Sequence, residues 1–287
     1  MTALANCTDA TDKLACLRDV PVEALDEIFT STWVNRFFPQ PDGDFIQGST
    51  LQQLKDGDFV KVPVLNGANT DEGTAFLPYT FNSDKNFTDY VQSQGPDLET
   101  AETLLKLYPD IPAIGIPASV TNRPNETIGT QYKRAAAYNG DYYFIAGRRF
   151  FSQMWSTHNV TTYSYRFNTV KYDGTEDFVS VTHATEMPFV FHITDDTYDS
   201  LPFEGMPQSY FDLSDLMSKM WVSFVVDGTP NGHGISGVPE WPIYEALDGY
   251  GQNFVFDANA TSYVEPDTFR AEAIAYLQSQ WADQYDY

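Results

Sequence analysis

Apolar and polar positions along this chain switch between two periods. Val62-Pro63-Val64-Leu65-Asn66-Gly67 is a short apolar run closed by glycine, the pattern of a buried parallel strand. Behind Pro96-Asp97, Leu98, Ala101, Leu105 and Tyr108 recur at helical spacing until Pro109 stops them. Residues 131–155 read as two helices broken at Asn139-Gly140, with Asp141 placed to cap the second. Tyr163, Tyr165 and Phe167 alternate with Thr162, Ser164 and Arg166, which predicts a strand, and loop residues follow to Asp177. Leu213, Leu216, Met217, Met220, Trp221, Phe224 and Val225 form one helical stripe, capped at Asp212 or Ser214 and ended by Asp227-Gly228. That stripe reads as core rather than as a ligand site. Phe254-Val255-Phe256 predicts a short edge strand, and Asp267 caps a last helix carrying Ala273, Ile274, Leu277 and Trp281. Alternating strands and helices place the chain in the α/β class with a mainly parallel sheet. No composition shift, repeat or low-complexity tract divides it, so one domain is expected over 1–287.

Composition narrows the function classes. Sixteen basic against forty acidic residues leave a formal charge of −24, which repels phosphate backbones and anionic lipid heads. Nucleic-acid partners and electrostatic membrane attachment are excluded as leading readings. No stretch approaches the roughly 20 apolar residues of a membrane-spanning helix. The first residues, Met1 to Cys7, lack the regions of a secretion signal. Five glycosylation sequons nonetheless begin at Asn6, Asn86, Asn125, Asn159 and Asn259, all in polar, loop-like surroundings. The only two cysteines, Cys7 and Cys16, have eight residues between them. They are either two free thiols or a bridge, which in so short a loop would contribute roughly 2.5–3 kcal/mol and suits an oxidising compartment. Sequons without a signal lead to the expectation that this chain begins partway into a longer secreted protein.

Two loops carry candidate chemistry. Asn69-Thr70-Asp71-Glu72-Gly73 and His183-Ala184-Thr185-Glu186-Met187-Pro188-Phe189-Val190-Phe191 each follow a strand-like run. An acid and then a histidine in that order are two members of a Ser-Glu-His relay, whose serine sits on a G-x-S-x-G elbow. That elbow is absent; Gly234-Ile235-Ser236-Gly237-Val238 is the nearest approach, with Val in place of the last Gly. Scattered Asp and Glu show no metal-ligand pattern and no Cys/His cluster exists, so neither metal nor cofactor is implied.

The chain resembles the type-B carboxylesterase/lipase family, the cholinesterase-like α/β-hydrolases, and most of all their secreted fungal branch. The likeness rests on Cys7 with Cys16-Leu17-Arg18, Phe38-Pro39 with Asp42-Gly43-Asp44-Phe45-Ile46, and the strand-and-acid run from Val62 to Gly73. It continues through Tyr163-Ser164-Tyr165-Arg166-Phe167, the His183 loop, Trp221-Val222-Ser223-Phe224, Gly228-Thr229-Pro230-Asn231-Gly232 and Trp241-Pro242-Ile243-Tyr244. The resemblance implies the C-terminal part of an α/β-hydrolase fold, a Cys7–Cys16 bridge, a small-molecule or lipid ester as substrate, and Glu72 and His183 as acid and base. It also implies that the serine elbow and the glycine-rich oxyanion loop lie outside this chain, which alone should be inactive.

Each assignment has a competitor. Asp71 is a rival carboxylate, but the motif places the acid at Glu72. His158 beside a sequon and His233 in a glycine-rich turn read as exposed, and His192 as structural. Glu186, one helical turn beyond His183, is expected to support that loop by hydrogen bonding rather than to take part in chemistry. Two rivals stand beside the esterase reading. A non-catalytic cholinesterase-like binding module is disfavoured by the intact acid and histidine. A two-carboxylate glycosidase is disfavoured because no carboxylate pairing stands out beyond Glu72.

Overall fold

The computed structural model describes residues 1–30, 39, 41–77, 80–170, 178–194, 203–246 and 249–284. These group into two compact units, 1–50 and 51–287. In the first, helix α1 (Lys13–Arg18) is capped by Asp12, whose carboxylate accepts the Ala15 N–H at 2.9 Å. Cys7 and Cys16 are joined in a disulfide, with Cα atoms 5.8 Å apart, and α2 (Val22–Thr30) follows. Phe38, and the turn residues expected over 171–177, lie outside the described residues.

The second unit is built on a four-stranded sheet: β1 (Val64–Asn69), β2 (Thr162–Phe167), β3 (Gln252–Phe256) and β4 (Tyr263–Pro266), paired in that order. The first three strands are parallel and β4 is antiparallel to β3. Asn69 pairs in register with Phe167, so β1 and β2 end side by side and release their loops at the same edge of the sheet. The helices are α3 (Thr50–Asp56), α4 (Asp84–Ser93), α5 (Leu98–Leu107), α6 (Tyr132–Gly140), α7 (Ala146–Thr157), α8 (Met187–Val190), α9 (Gln208–Asp227) and α10 (Ala271–Gln284).

Side chains alternate between two apolar layers. Tyr163, Phe167, Phe254 and Phe256 share one layer with Trp241 and with Met217 of α9. Ala68 belongs to the other, with Ala135 and Tyr138 of α6 and Ile274 of α10. Each fully buried large side chain contributes roughly 1.5–3 kcal/mol relative to exposure. Helices on both faces of a mostly parallel sheet make this an α/β architecture.

Several expectations about local structure are corrected. Asn139-Gly140 does not break the helix. α6 runs straight into a π-helical turn over Asp141–Ile145 and then into α7. Gly140 serves close packing instead: a Cβ there would meet the Gly73 backbone N at 2.9 Å, and one on Gly73 would meet the Ala136 carbonyl at 2.1 Å. Asp141 does not cap the second helix; it is fully buried and takes Arg270 Nε and the Tyr108 hydroxyl on one oxygen. Asp267 likewise forms no cap. It is shared by Arg148 and Arg149 and by the Tyr244 hydroxyl. Burial alone would raise its pKa, but the two guanidinium groups hold it far below the ordinary range. α9 begins at Gln208, ahead of Asp212 and Ser214, and ends as expected with Gly228 in the left-handed region at φ 74°. β3 is not an edge strand, since the short, half-exposed β4 covers it.

Candidate functional site

The loops after β1 and β2 meet. Glu72 opens a 3-10 turn, Glu72–Thr74, directly after β1 and is only 5% exposed. Its Oε1 accepts the Asn69 backbone N–H at 2.7 Å, which curls the carboxylate back over its own strand. Its Oε2 lies 2.7 Å from His183 Nδ1. Burial is the largest influence on this carboxyl and pushes its pKa up, against the Asn69 and His183 hydrogen bonds that pull it down. An ionised carboxylate only accepts, so Nδ1 carries the proton and Nε2 of the neutral ring is left as the acceptor. The imidazole is 40% exposed. Its ring packs against Phe76 and Phe144, with centroids 5.2 Å and 4.6 Å away. Phe144 comes from the π-helical turn, a local widening that is frequent at functional sites.

A hydrogen-bonded seam fixes the two loops to each other. The Asp71 N–H donates to the Val181 carbonyl at 3.0 Å, and the Val181 N–H returns to Asp71 Oδ2 at 3.1 Å. Thr74 Oγ1 lies 2.8 Å from both the Val179 carbonyl and Thr182 Oγ1. Asn69 Nδ2 reaches the Thr182 carbonyl at 2.8 Å and Glu186 Oε2 at 2.6 Å. Ser180 and Ala184, on either side of His183, stand at φ 49° and φ 65°. Non-glycine residues there cost about 1–3 kcal/mol each, a strain that persists only where surroundings over-determine it.

The residues singled out in sequence divide clearly. Glu72 and His183 are brought together. Glu186 supports the loop by the hydrogen bond expected of it. Asp71, the rival acid, faces Val181 rather than the imidazole. His192 bonds Ser214 Oγ through Nδ1 at 3.0 Å, a structural contact. His158 and His233 are half-buried rather than exposed, bonded to the Lys55 carbonyl and the Ile235 N–H. Ser236 follows the 3-10 turn Pro230–Gly232, not the strand-to-helix turn that a nucleophile elbow requires. Among the described residues no serine hydroxyl bonds His183. All five sequon asparagines are exposed, although Asn86 sits in the first turn of α4 rather than in a loop. Sequence reasoning did not find Asn69, Phe76 or Phe144. A cavity of about 700 Å³ lined by Thr70, Ile114, Arg166 and Phe269 contains neither Glu72 nor His183 in its walls. Its three arginines are already engaged: Arg134 by Asp84, Arg166 by Glu265 and Arg270 by Asp141.

Asp71 gives a stability prediction. It is 2% exposed, and burial pushes its carboxyl up from 3.8 to about 6. Because the folded value lies above the unfolded one, folding favours the neutral form. The stability from this group is full below pH 4 and is lost as pH rises through about 6. A shift of that size corresponds to about 3 kcal/mol at ~1.4 kcal/mol per unit. Asp71→Asn keeps an acceptor for the Val181 N–H and removes the charge. In the full-length protein it should raise stability by up to about 3 kcal/mol at pH 7.5, with little or no gain at pH 4. Urea unfolding at both pH values checks this; equal effects at the two would contradict it.

Comparison with known proteins points one way. The model of the carboxylesterase family matches residues 1–268. The chain is 30% identical to secreted lipase 4 of Gibberella zeae over 95% of its own length and 48% of that protein's. It is 27% identical to lipase 4 of Diutina rugosa, over 94% and 47%. Among solved structures, EstA of Aspergillus niger superposes with a TM-score of 0.77 at 20% identity, covering 99% of this chain and 54% of that one. A carboxylesterase of Geobacillus stearothermophilus superposes at 0.69 with 23% identity, covering 96% and 52%. These last two establish the α/β-hydrolase fold. The chain spans about half the length of the curated relatives it matches.

Proposed function

The chain belongs to the carboxylesterase family, and on that premise we propose that Glu72 and His183 are the acid and base of a Ser-Glu-His relay that hydrolyses carboxylic esters in the full-length protein. The serine and the oxyanion donors are supplied from outside these 287 residues, which form the C-terminal portion of a single α/β-hydrolase domain. The observation that carries this reading is the 2.7 Å contact between His183 Nδ1 and the buried Glu72 carboxylate.

The chemistry follows from that contact. A serine hydroxyl is a weak nucleophile until a neighbouring base accepts its proton. Nε2 of His183 takes that proton as serine Oγ bonds to the ester carbonyl carbon. The carbonyl π electrons move to oxygen, where backbone N–H donors stabilise them. Nε2 then returns the proton to the leaving alkoxide oxygen as the C–O bond breaks. Water repeats the cycle on the acyl-serine and releases the acid. Glu72 holds the ring in the productive tautomer and stabilises the imidazolium formed midway. No metal or cofactor is needed for these steps.

Turnover of nitrophenyl esters from short to long acyl chains by the folded full-length protein tests the reading. Hydrolysis of at least one is expected. A well-folded protein that turns over none would favour the non-catalytic binding module instead.

The full-length protein is secreted in this reading. The exposed sequons at Asn6, Asn86, Asn125, Asn159 and Asn259 support it, as does the Cys7–Cys16 bridge. No described helix is long and apolar enough to cross a membrane. Protein recovered from a secreting eukaryotic host should lose apparent mass on endoglycosidase treatment, and Cys7 and Cys16 should resist alkylation until reduced. Unchanged mass together with free thiols would contradict secretion through an oxidising compartment.

A further inference from the structure

We infer that Asn69 is a positioning residue that reserves His183 for Glu72 by occupying the competing carboxylate of Glu186. The inference rests on the ester-hydrolase reading and gives a role to a residue that the motif contains but does not explain. Asn69 is the last residue of β1 and is 1% exposed. Its backbone N–H holds Glu72 Oε1 at 2.7 Å. Its side-chain Nδ2 donates to Glu186 Oε2 at 2.6 Å and to the Thr182 carbonyl at 2.8 Å. One buried residue therefore grips the acid with its main chain and both flanks of His183 with its side chain.

The orientation of the amide is dictated by its neighbours. Reversing it would set Oδ1 against the Glu186 carboxylate and the Thr182 carbonyl, which are both acceptors. Oδ1 is left buried with no hydrogen-bond partner of its own among the described residues, and Asn69 also lines a cavity of about 20 Å³ whose walls include Arg148, Arg149, Arg166, Glu265 and Asp267. Glu186 is close enough for its charge to raise the Glu72 pKa. It is a second acceptor three residues along the chain from the imidazole it would compete for. With Nδ2 bonded to it, that carboxylate is held and partly neutralised. Released, it could accept the Nδ1 proton and turn the ring away from Glu72. A displacement of ~1 Å at a catalytic group can cost about 100-fold in rate.

The test reverses the polarity of the pair. Asn69→Asp removes the donor and adds a negative charge near the imidazole; Glu186→Gln removes one. In the full-length enzyme N69D should lower kcat on a nitrophenyl ester by about 10- to 100-fold, with KM within about threefold, whereas E186Q, which keeps an acceptor for Asn69 Nδ2 and removes the competing carboxylate, should stay within about fivefold of the parent. The acid limb of kcat/KM should move to higher pH in N69D and to lower pH in E186Q, because a nearby anion favours the imidazolium and its loss disfavours it. The charged side chains around this pair include Glu72 and Asp71 and, across the small cavity, Arg148, Arg149, Arg166, Glu265 and Asp267, and all are unchanged in these variants. The double variant N69D/E186Q restores one donor, one acceptor and the parental charge. It should recover kcat to within about fivefold of the parent and return the acid limb to its parental position. Should N69D not fold, the E186Q profile and the double variant carry the same comparison. A double variant no better than N69D, an E186Q variant as impaired as N69D, or an acid limb unmoved in E186Q, overturns the inference. Full activity in His183→Ala would instead overturn the ester-hydrolase reading, whereas an inactive His183→Ala beside silent Asn69 variants overturns only this one.

Discussion

His183→Ala in the full-length protein is expected to lower ester kcat by about 10³- to 10⁶-fold, the range found when the base of a serine relay is removed. KM should change far less, because the ring contributes to proton transfer rather than to substrate binding. Glu72→Gln should cost less, about 10²- to 10⁴-fold, for a reason visible in the geometry. Glu72 accepts from two donors at once, the Asn69 N–H on one oxygen and His183 Nδ1 on the other. An amide of the same shape offers one acceptor and one donor, so one of those contacts becomes donor against donor. If the amide nitrogen faces the ring, the histidine turns to the wrong tautomer. Both variants should keep the parental fold, since His183 is partly exposed and the seam through Asp71, Thr74 and Val181 is untouched. Turnover within tenfold of the parent in a folded His183→Ala protein would remove it from the mechanism.

The 287 residues expressed alone should show no ester turnover and be recovered mainly as oligomer or insoluble material. β1 is paired on one side only, to β2, among the described residues. Parallel strands are rarely left open at an edge or face, and an open edge templates association with other chains. Turnover should be absent for a separate reason: the relay needs a hydroxyl within reach of His183 Nε2, and none of the described serines bonds that ring. Coexpression with the serine-bearing half of a related esterase should recover solubility and some turnover. A soluble monomer whose turnover is lost in His183→Ala would mean that the nucleophile lies within these residues.

The contact between Glu72 and His183 was legible in sequence because each residue sits on a short loop directly after a strand-like run, where local order in the chain already sets its place. The α/β class was legible for a similar reason, since runs such as Val62–Gly67 and Tyr163–Phe167 carry their own period. What escaped depends on partners distant in sequence. Gly140 reads as a helix breaker, but its role is close contact with Gly73, 67 positions earlier. Asp141 and Asp267 read as caps because their positions suit caps, whereas buried arginines claim both. Phe144 reaches His183 only because a π-helical turn redirects it, and no apolar period announces that turn. β4 is four residues long with no buried position, so it presents no strand pattern of its own. Asn69 looked like part of a motif leading to Glu72; its contacts with Thr182 and Glu186 exist only once the two loops meet.

The relay itself is most directly tested by covalent labelling. A fluorophosphonate reacts with a serine only when a neighbouring base activates it, so the labelled peptide identifies the nucleophile and the rate reports the base. Labelling of the full-length protein followed by peptide mapping should place the adduct on one serine outside these 287 residues, with the rate falling at least about 10³-fold in His183→Ala. An adduct on a serine within the 287 residues, or labelling of His183→Ala at the parental rate, would contradict the assignment of Glu72 and His183 to a relay completed from outside the chain.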